Sequence, residues 1–120
     1  MTAARKGITR QEAVRRVLQG MTDDSVGYAA LQTLLEEQFQ ATLQHQSTRL
    51  TALADQVIAA VEPLDARRRQ RVSLVTALLG AQGDMPQLFA LLQEDARAKA
   101  EADWVALEQM VLECKRLNAR

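Results

Sequence analysis

The side chains best suited to chemistry in this sequence are its single histidine, His45, and its single cysteine, Cys114. His45 lies in a polar run at 44–49, with no cysteine nearby and no second histidine, so it lacks the partners that a zinc site requires. Cys114 falls on an apolar helical stripe, where a thiol is more often a small buried hydrophobe than a nucleophile. Neither residue therefore indicates catalysis or metal binding.

Carboxylates and glycines offer no catalytic arrangement either. Glu36 and Glu37 are adjacent, as are Glu94 and Asp95, so each pair diverges on a helix instead of facing one another as acid–base catalysis requires. The glycine-containing turn at 80–83 is not followed by the lysine and hydroxyl residue of a phosphate-binding loop. We therefore predict a protein that is not an enzyme and that holds no cofactor and no metal.

Basic residues cluster in the middle of the chain. Such a cluster could contact phosphate or an acidic partner, but no aromatic residues are interleaved with it, and a solvated helix face is the favoured interpretation. The formal net charge is 0, which argues against a general nucleic-acid binder or an anionic-membrane binder. We predict neither partner, although a regulator that contacts nucleic acid through these residues or the N-terminal basic residues is a third hypothesis. The cluster consists of Arg67, Arg68, Arg69 and Arg71.

Length and composition predict one cytoplasmic helical domain. With 120 residues the chain can build one modest core, so we assign residues 1–120 to a single domain. Hydrophobic residues make up 48% but aromatic ones only 3%, which favours long helices with coiled-coil-like packing over a sheet. A lone cysteine fits a reducing compartment. No apolar run follows Arg5 and Lys6 as in a signal peptide, and none approaches the ~18–20 residues that span a bilayer.

Apolar periodicity and capping signals predict four helices, at roughly 9–20, 24–45, 48–79 and 85–120, after a frayed segment at 1–8. Thr9 and Glu12 form a capping-box pattern, and Gly20 is a good terminator. Acids and small cap residues mark the start of the second helix, at Asp23, Asp24 and Ser25. A polar run predicts a chain reversal near 45–47, and the alternative is a continuous helix with a solvated polar patch at this position. Pro63 either kinks or breaks the third helix, and an interruption near 93–95 is an option for the fourth. The predicted fold is an all-α antiparallel bundle of three long helices with a short N-terminal helix.

The final helix, at 104–120, has more apolar surface than one neighbouring helix would cover. Val105 and Leu112 form a second, smaller apolar strip beside the main one. Asn118 falls on the main stripe and either fixes register or marks the end of the buried face. Residues of the main stripe, spaced three and four apart or widening its edge, are Trp104, Leu107, Met110, Val111, Cys114 and Leu117.

The order of several motifs resembles the FlgN family of flagellar export chaperones. Members show a leucine-and-glutamate repeat, a polar break, a second helix ending in arginine, paired leucines and glycine, and a tryptophan-bearing helix that closes on leucine-asparagine. The resemblance covers about residues 31–120, and residues 1–22 have no clear counterpart. The matching residues are Leu34, Leu35, Glu36, Glu37, Leu43, Leu50 and Leu53, then the arginine cluster, then Leu78, Leu79 and Gly80, and finally Trp104, Leu107, Cys114, Arg116, Leu117 and Asn118.

The resemblance implies a cytosolic chaperone without ATPase activity. Such proteins bind the C-terminal helical segments of hook-associated proteins, which form the hook–filament junction, keep them unassembled, and deliver them to the type III export apparatus. A helix with a wide apolar surface can pair with an amphipathic partner helix, which fits this role. Trp104 is expected to anchor the bundle core. Predicted partner-binding residues are Leu107, Met110, Val111, Cys114 and Leu117.

A structural role is the alternative function. The open helix could instead make the chain a coiled-coil adaptor or a self-associating helical-bundle subunit. The sequence leaves open the oligomeric state and the identity of the hook-associated protein.

Overall fold

Residues 8–120, described by a computed structural model, fold into four helices without a strand in that range. They are α1 (Arg10–Leu43), α2 (Ser47–Leu79), α3 (Met85–Phe89) and α4 (Glu94–Asn118). The predicted all-α class with long helices packed together is confirmed. Most of the segment expected to fray, residues 1–7, lies outside the described part of the chain.

Helix α1 runs through the boundary that was predicted at 20–24, so one helix replaces the expected pair at 9–20 and 24–45. It starts at the predicted position, where the Thr9 hydroxyl accepts a hydrogen bond from the Glu12 amide at 3.0 Å. The Glu12 side chain pairs with Arg15 and Arg16, so the second half of the predicted capping box does not form. The second predicted cap, at Asp23 to Ser25, does not form because these residues lie inside α1. The Ser25 hydroxyl instead donates to the Met21 carbonyl within the helix, at 3.2 Å. Burial of Val17 and Met21 on either side of Gly20 offsets the low helix propensity of that glycine.

The chain reverses between α1 and α2 at 44–46, where the sequence predicted it. His45 occupies the left-handed region, with φ 55°, which histidine tolerates better than most side chains. Helix α2 then continues through Pro63 without a break. It ends at Gly80, whose φ of 89° and ψ of 174° belong to a region that is essentially restricted to glycine.

The predicted helix at 85–120 is divided into α3 and α4. Asp84 and Gln87 form a capping box at the N-terminus of α3. The Asp84 side chain accepts a hydrogen bond from the Gln87 amide at 2.9 Å, and the Asp84 amide donates to the Gln87 side chain at 3.1 Å. Helix α3 ends at Phe89, and both Leu88 and Phe89 are buried in the core. The break at 90–93 precedes the expected position by a few residues.

The core consists of two clusters arranged along α1. The first joins α1, α2, α3 and α4 around Phe89, and the second joins α1, α2 and α4 around Leu35. Helix α1 therefore packs against both α2 and α4, whereas the backbones of α2 and α4 hardly approach one another. The buried members are Val17, Met21, Val75, Met85, Leu88, Phe89, Ala100 and Leu107 in the first cluster, and Leu31, Leu35, Leu64, Cys114 and Leu117 in the second.

Glycine 27 lies where α1 comes closest to α2. A Cβ atom there would lie 2.8 Å from Leu64 Cδ2 and 2.9 Å from Arg67 Nη2, whereas a Cβ at Gly20 would meet nothing within 4 Å. Gly20→Ala is expected to raise the free energy of unfolding by about 0.5–1 kcal/mol through helix propensity. Gly27→Ala is expected to lower it, because Leu64 is buried. Urea denaturation of both variants measures the difference, and equal stabilisation would show that the helices do not need this close approach.

Candidate functional site

An open groove runs between α2 and α4. Helix α1 forms its floor toward the 44–46 turn, and α3 lines its other end. It comprises three adjoining depressions with volumes of 730, 500 and 330 Å³. Arg68 lines all three, Trp104 lines the two nearer α3, and Tyr28 and Val111 line the two nearer the 44–46 turn. Because adjoining depressions share these residues, they form one continuous surface, which we call the α2–α4 groove.

The walls of the groove carry apolar side chains that solvent can reach. Val61 and Val72 project from α2, and Val105 and Leu112 from α4, with exposed fractions between 43% and 58%. Within residues 8–120 eight large apolar side chains are exposed, and these are four of them. Apolar residues concentrated on one surface mark an interaction site more often than scattered ones do. The groove is therefore the leading candidate for a functional site.

The length of the groove suits a helix. Lining residues on α2 extend from Val57 to Thr76, a span of about 28 Å at the helical rise of 1.5 Å per residue. Apolar walls with a polar rim are the pattern that receives an amphipathic helix. An occupant of about 20 residues would lie along the whole groove.

A buried ion cluster holds the groove floor to the α2 wall. The Asp24 side chain is 1% exposed and accepts hydrogen bonds from Arg67 Nε at 2.5 Å and Arg71 Nη1 at 2.7 Å. Half of the arginine cluster therefore points inward, against the interpretation of the whole cluster as a solvated face. The other half behaves as predicted: Arg68 and Arg69 pair with the more exposed Asp65 at 3.1 and 3.3 Å.

The sequence contains a signal for this ion cluster at Asp24, although the predicted role of Asp24 was that of a helix cap. Asp24 follows Met21 by three residues and precedes Tyr28 by four, so it falls on the apolar stripe of α1. A carboxylate at a buried position needs a charged or hydrogen-bonding partner. The position predicts that a partner exists, but not which residues provide it.

Trp104 connects the same ion cluster to α4. The Arg71 guanidinium carbon lies 5.4 Å from the centroid of the Trp104 ring, within the range of a cation–π contact. The ring also packs edge-on against Phe89, with centroids 6.4 Å apart and an interplanar angle of 68°. Trp104 is half-buried and packs on the first core cluster while lining the groove. Through Asp24, Arg71 and Trp104, the structure connects the floor and both walls of the groove.

A family model described as FlgN protein matches residues 13–120. The chain belongs to the FlgN family. This family consists of flagellar export chaperones, which makes chaperoning of flagellar export the general role of this chain. The match begins in the first turns of α1, within the region that the sequence resemblance left without a counterpart. A search of curated proteins found no match, and a search of solved structures found none either.

Three of the five predicted partner-binding residues line the groove of this FlgN-family chain. Leu107 and Cys114 are buried at the base of its α4 wall, and Val111 is half-buried beside them. Leu117 is buried in the second core cluster, and Met110 is half-buried, and neither lines the groove. The stripe of α4 predicted an apolar face, but only the position of α1 decides which part of that face is covered.

Cys114 is a packed core residue. Its thiol points toward the Tyr28 carbonyl, at 3.7 Å, and burial raises the pKa of Cys114, with the neighbouring Glu113 adding to the effect. A thiol with a raised pKa is a weak nucleophile at neutral pH. Asn118 is exposed at the turn end of the groove, so it marks the end of the buried face and does not fix register from inside the core.

The α2 wall of the site was not predicted. Val61 and Val72 recur at the helical spacing of the buried Leu64 and Val75, which favours the bundle interior for them as well, yet both are exposed. The strip of Val105 and Leu112 was predicted to be surplus apolar surface, and in the structure these two residues lie on the α4 wall of the groove.

Two further properties of residues 8–120 bear on the site. No cluster of three or more histidine, cysteine, aspartate or glutamate side chains in that range is placed to hold a metal ion. None of its helices combines the length and the apolar character needed to cross a membrane.

Proposed function

We propose that this FlgN-family chain works in the cytoplasm, binds the C-terminal helical segments of hook-associated proteins, keeps them unassembled and delivers them to the type III export apparatus. Family membership supports the general role as a flagellar export chaperone. The observation that supports a helical client is the open, apolar-walled groove between α2 and α4.

A client helix in this groove would complete a four-helix arrangement. Helix α1 already contacts both walls, and the five-residue α3 is packed between them only at one end of the groove. Covering the four exposed wall side chains contributes on the order of 3–6 kcal/mol, since each is about half exposed and full burial is worth ~1.5–3 kcal/mol. Association costs about 4–15 kcal/mol, so the client must contribute apolar surface of its own.

This balance suits a protein that must later release its client. The client's apolar stripe, which would otherwise drive assembly or aggregation, is covered while the complex lasts. Leu107, Val111 and Cys114 form the base of the α4 wall against which that stripe packs. Met110 and Leu117 lie outside the groove, and we do not include them among the contacts.

Trp104 is the single tryptophan of the chain and lines the groove, so its fluorescence reports on occupancy. Addition of a tryptophan-free peptide from the C-terminal helix of a hook-associated protein is expected to shift Trp104 emission to shorter wavelength with saturable dependence on peptide. The shift follows because the client excludes water from a half-buried ring.

Calorimetry with the same peptide provides the control for this titration. Heat of binding without a change in Trp104 emission would place the client elsewhere on the molecule. The absence of both signals for every hook-associated peptide would contradict the proposed client class.

A further inference from the structure

The groove-facing edge of α4 alternates acidic and apolar residues. Glu101, Val105, Glu108 and Leu112 follow at steps of four, three and four, and all line the groove. Glu101 and Glu108 are both exposed and lie about 10.5 Å apart along the helix axis, two turns at 1.5 Å per residue. Acidic groups therefore flank the apolar wall at regular intervals.

Neither glutamate forms a salt bridge with a basic side chain of residues 8–120. The arginines that line the opposite wall already have partners. Arg71 is paired with the buried Asp24, and Arg68 is paired with Asp65. The α4 edge in the half of the groove nearer α3 thus presents negative charge that the protein itself does not pair.

The charge changes sign toward the other end of α4. Lys115 follows Glu108 by one further heptad and lines the part of the groove nearer the 44–46 turn. The acidic edge is therefore confined to the half of the groove that also contains Trp104.

We propose that the half of the groove nearer α3 selects an amphipathic helix whose apolar stripe is bordered, on the edge that faces α4, by basic residues about two turns apart. This inference rests on the proposed function, because it names the chemistry of the client in the same groove. Glu101 and Glu108 are the specificity-determining residues: they attract a basic edge and repel an acidic one. Charges at the rim of an interface act mainly through specificity and association rate, and the discrimination weakens with salt.

Two designed helical peptides of about 20 residues test this selection. They share one leucine stripe and contain no tryptophan, and they differ only in carrying lysines or glutamates along one edge. Titration against the full chain, followed by Trp104 emission and calorimetry, is expected to give about tenfold tighter binding of the lysine-edged peptide at low salt. The preference should shrink as the salt concentration rises to about 0.5 M.

The E101K/E108K variant is expected to reverse the preference between the two peptides. The matched control is D55K/E62K, which also replaces two exposed acidic residues seven apart but on a part of α2 that does not line the groove. It changes the net charge by the same amount and is expected to retain the lysine preference.

Each result decides between the two proposals. Equal affinities for the two peptides, or a reversal by D55K/E62K as large as that by E101K/E108K, would overturn the charge selection while leaving the groove as a helix-binding site. Failure of both peptides and of the hook-associated peptides to bind would overturn the proposed function, and the charge selection with it.

Discussion

Replacing Asp24 with alanine is expected to lower the free energy of unfolding by about 3–5 kcal/mol. The carboxylate is buried and is the partner of both Arg67 and Arg71. Its removal leaves two guanidinium groups, each largely shielded from solvent, without a counter-charge. A loss of this size is a large part of the about 5–15 kcal/mol that stabilises a typical domain. Urea denaturation followed by circular dichroism measures it.

Asp65→Ala is the matched control for this prediction. Asp65 also pairs with two arginines, Arg68 and Arg69, but its side chain is 45% exposed. Exposed ion pairs contribute little, so this variant is expected to stay within about 1 kcal/mol of the original chain. Similar losses in the two variants would show that the burial of Asp24 does not set its contribution.

Replacing all three charged residues together shows whether D24A is destabilised by the loss of a favourable ion pair or by the two unpaired buried arginines that remain. A D24L/R67M/R71M variant is expected to recover most of the stability lost in D24A, because apolar side chains of similar volume often substitute for a buried ion cluster without loss. If the triple variant were as unstable as D24A, the ion cluster itself would make a net favourable contribution to the free energy of unfolding, and unpaired buried charge would not explain the loss in D24A.

The V105Q/L112Q variant is expected to bind the client helix about 10- to 100-fold more weakly than the original chain. Both side chains lie on the α4 wall and are more than half exposed, so a client would bury them but the folded protein alone does not. Because each side chain is about half exposed, the two losses together correspond to about 1.5–3 kcal/mol of binding free energy. Glutamine is a good helix former and uncharged, so the change leaves α4 intact and does not alter the acidic edge. Peptide titration by calorimetry gives the affinity.

The V26Q/L43Q variant makes the same two chemical changes away from the groove. Val26 and Leu43 are 71% and 57% exposed on α1, and neither lines the groove. Binding is expected to be unchanged in this control. Unchanged binding in V105Q/L112Q, with both variants folded, would place the client on another surface.

Local signals in the sequence determined the helical class and several of its boundaries. The polar run before Ser47, the glycine at 80 and the capping box at Asp84 act within a few residues of chain, so each could be read without knowing the fold. The order of leucine, arginine and tryptophan motifs also indicated the FlgN family, which the match over 13–120 establishes. Where a local signal was overruled, at Gly20 and Ser25, the cause was the buried stripe that continues along α1 on either side.

Only the tertiary structure decided which apolar and charged residues face inward. Asp24 meets Arg67 and Arg71 across 43 and 47 residues of chain, and no local pattern specifies such a pairing. The stripe of α4 indicated surplus apolar surface, but α1 covers Leu117 and leaves the Val105 edge open. The groove exists because α1 packs against α2 and α4 while the backbones of those two helices hardly approach one another, and that arrangement depends on packing between distant segments.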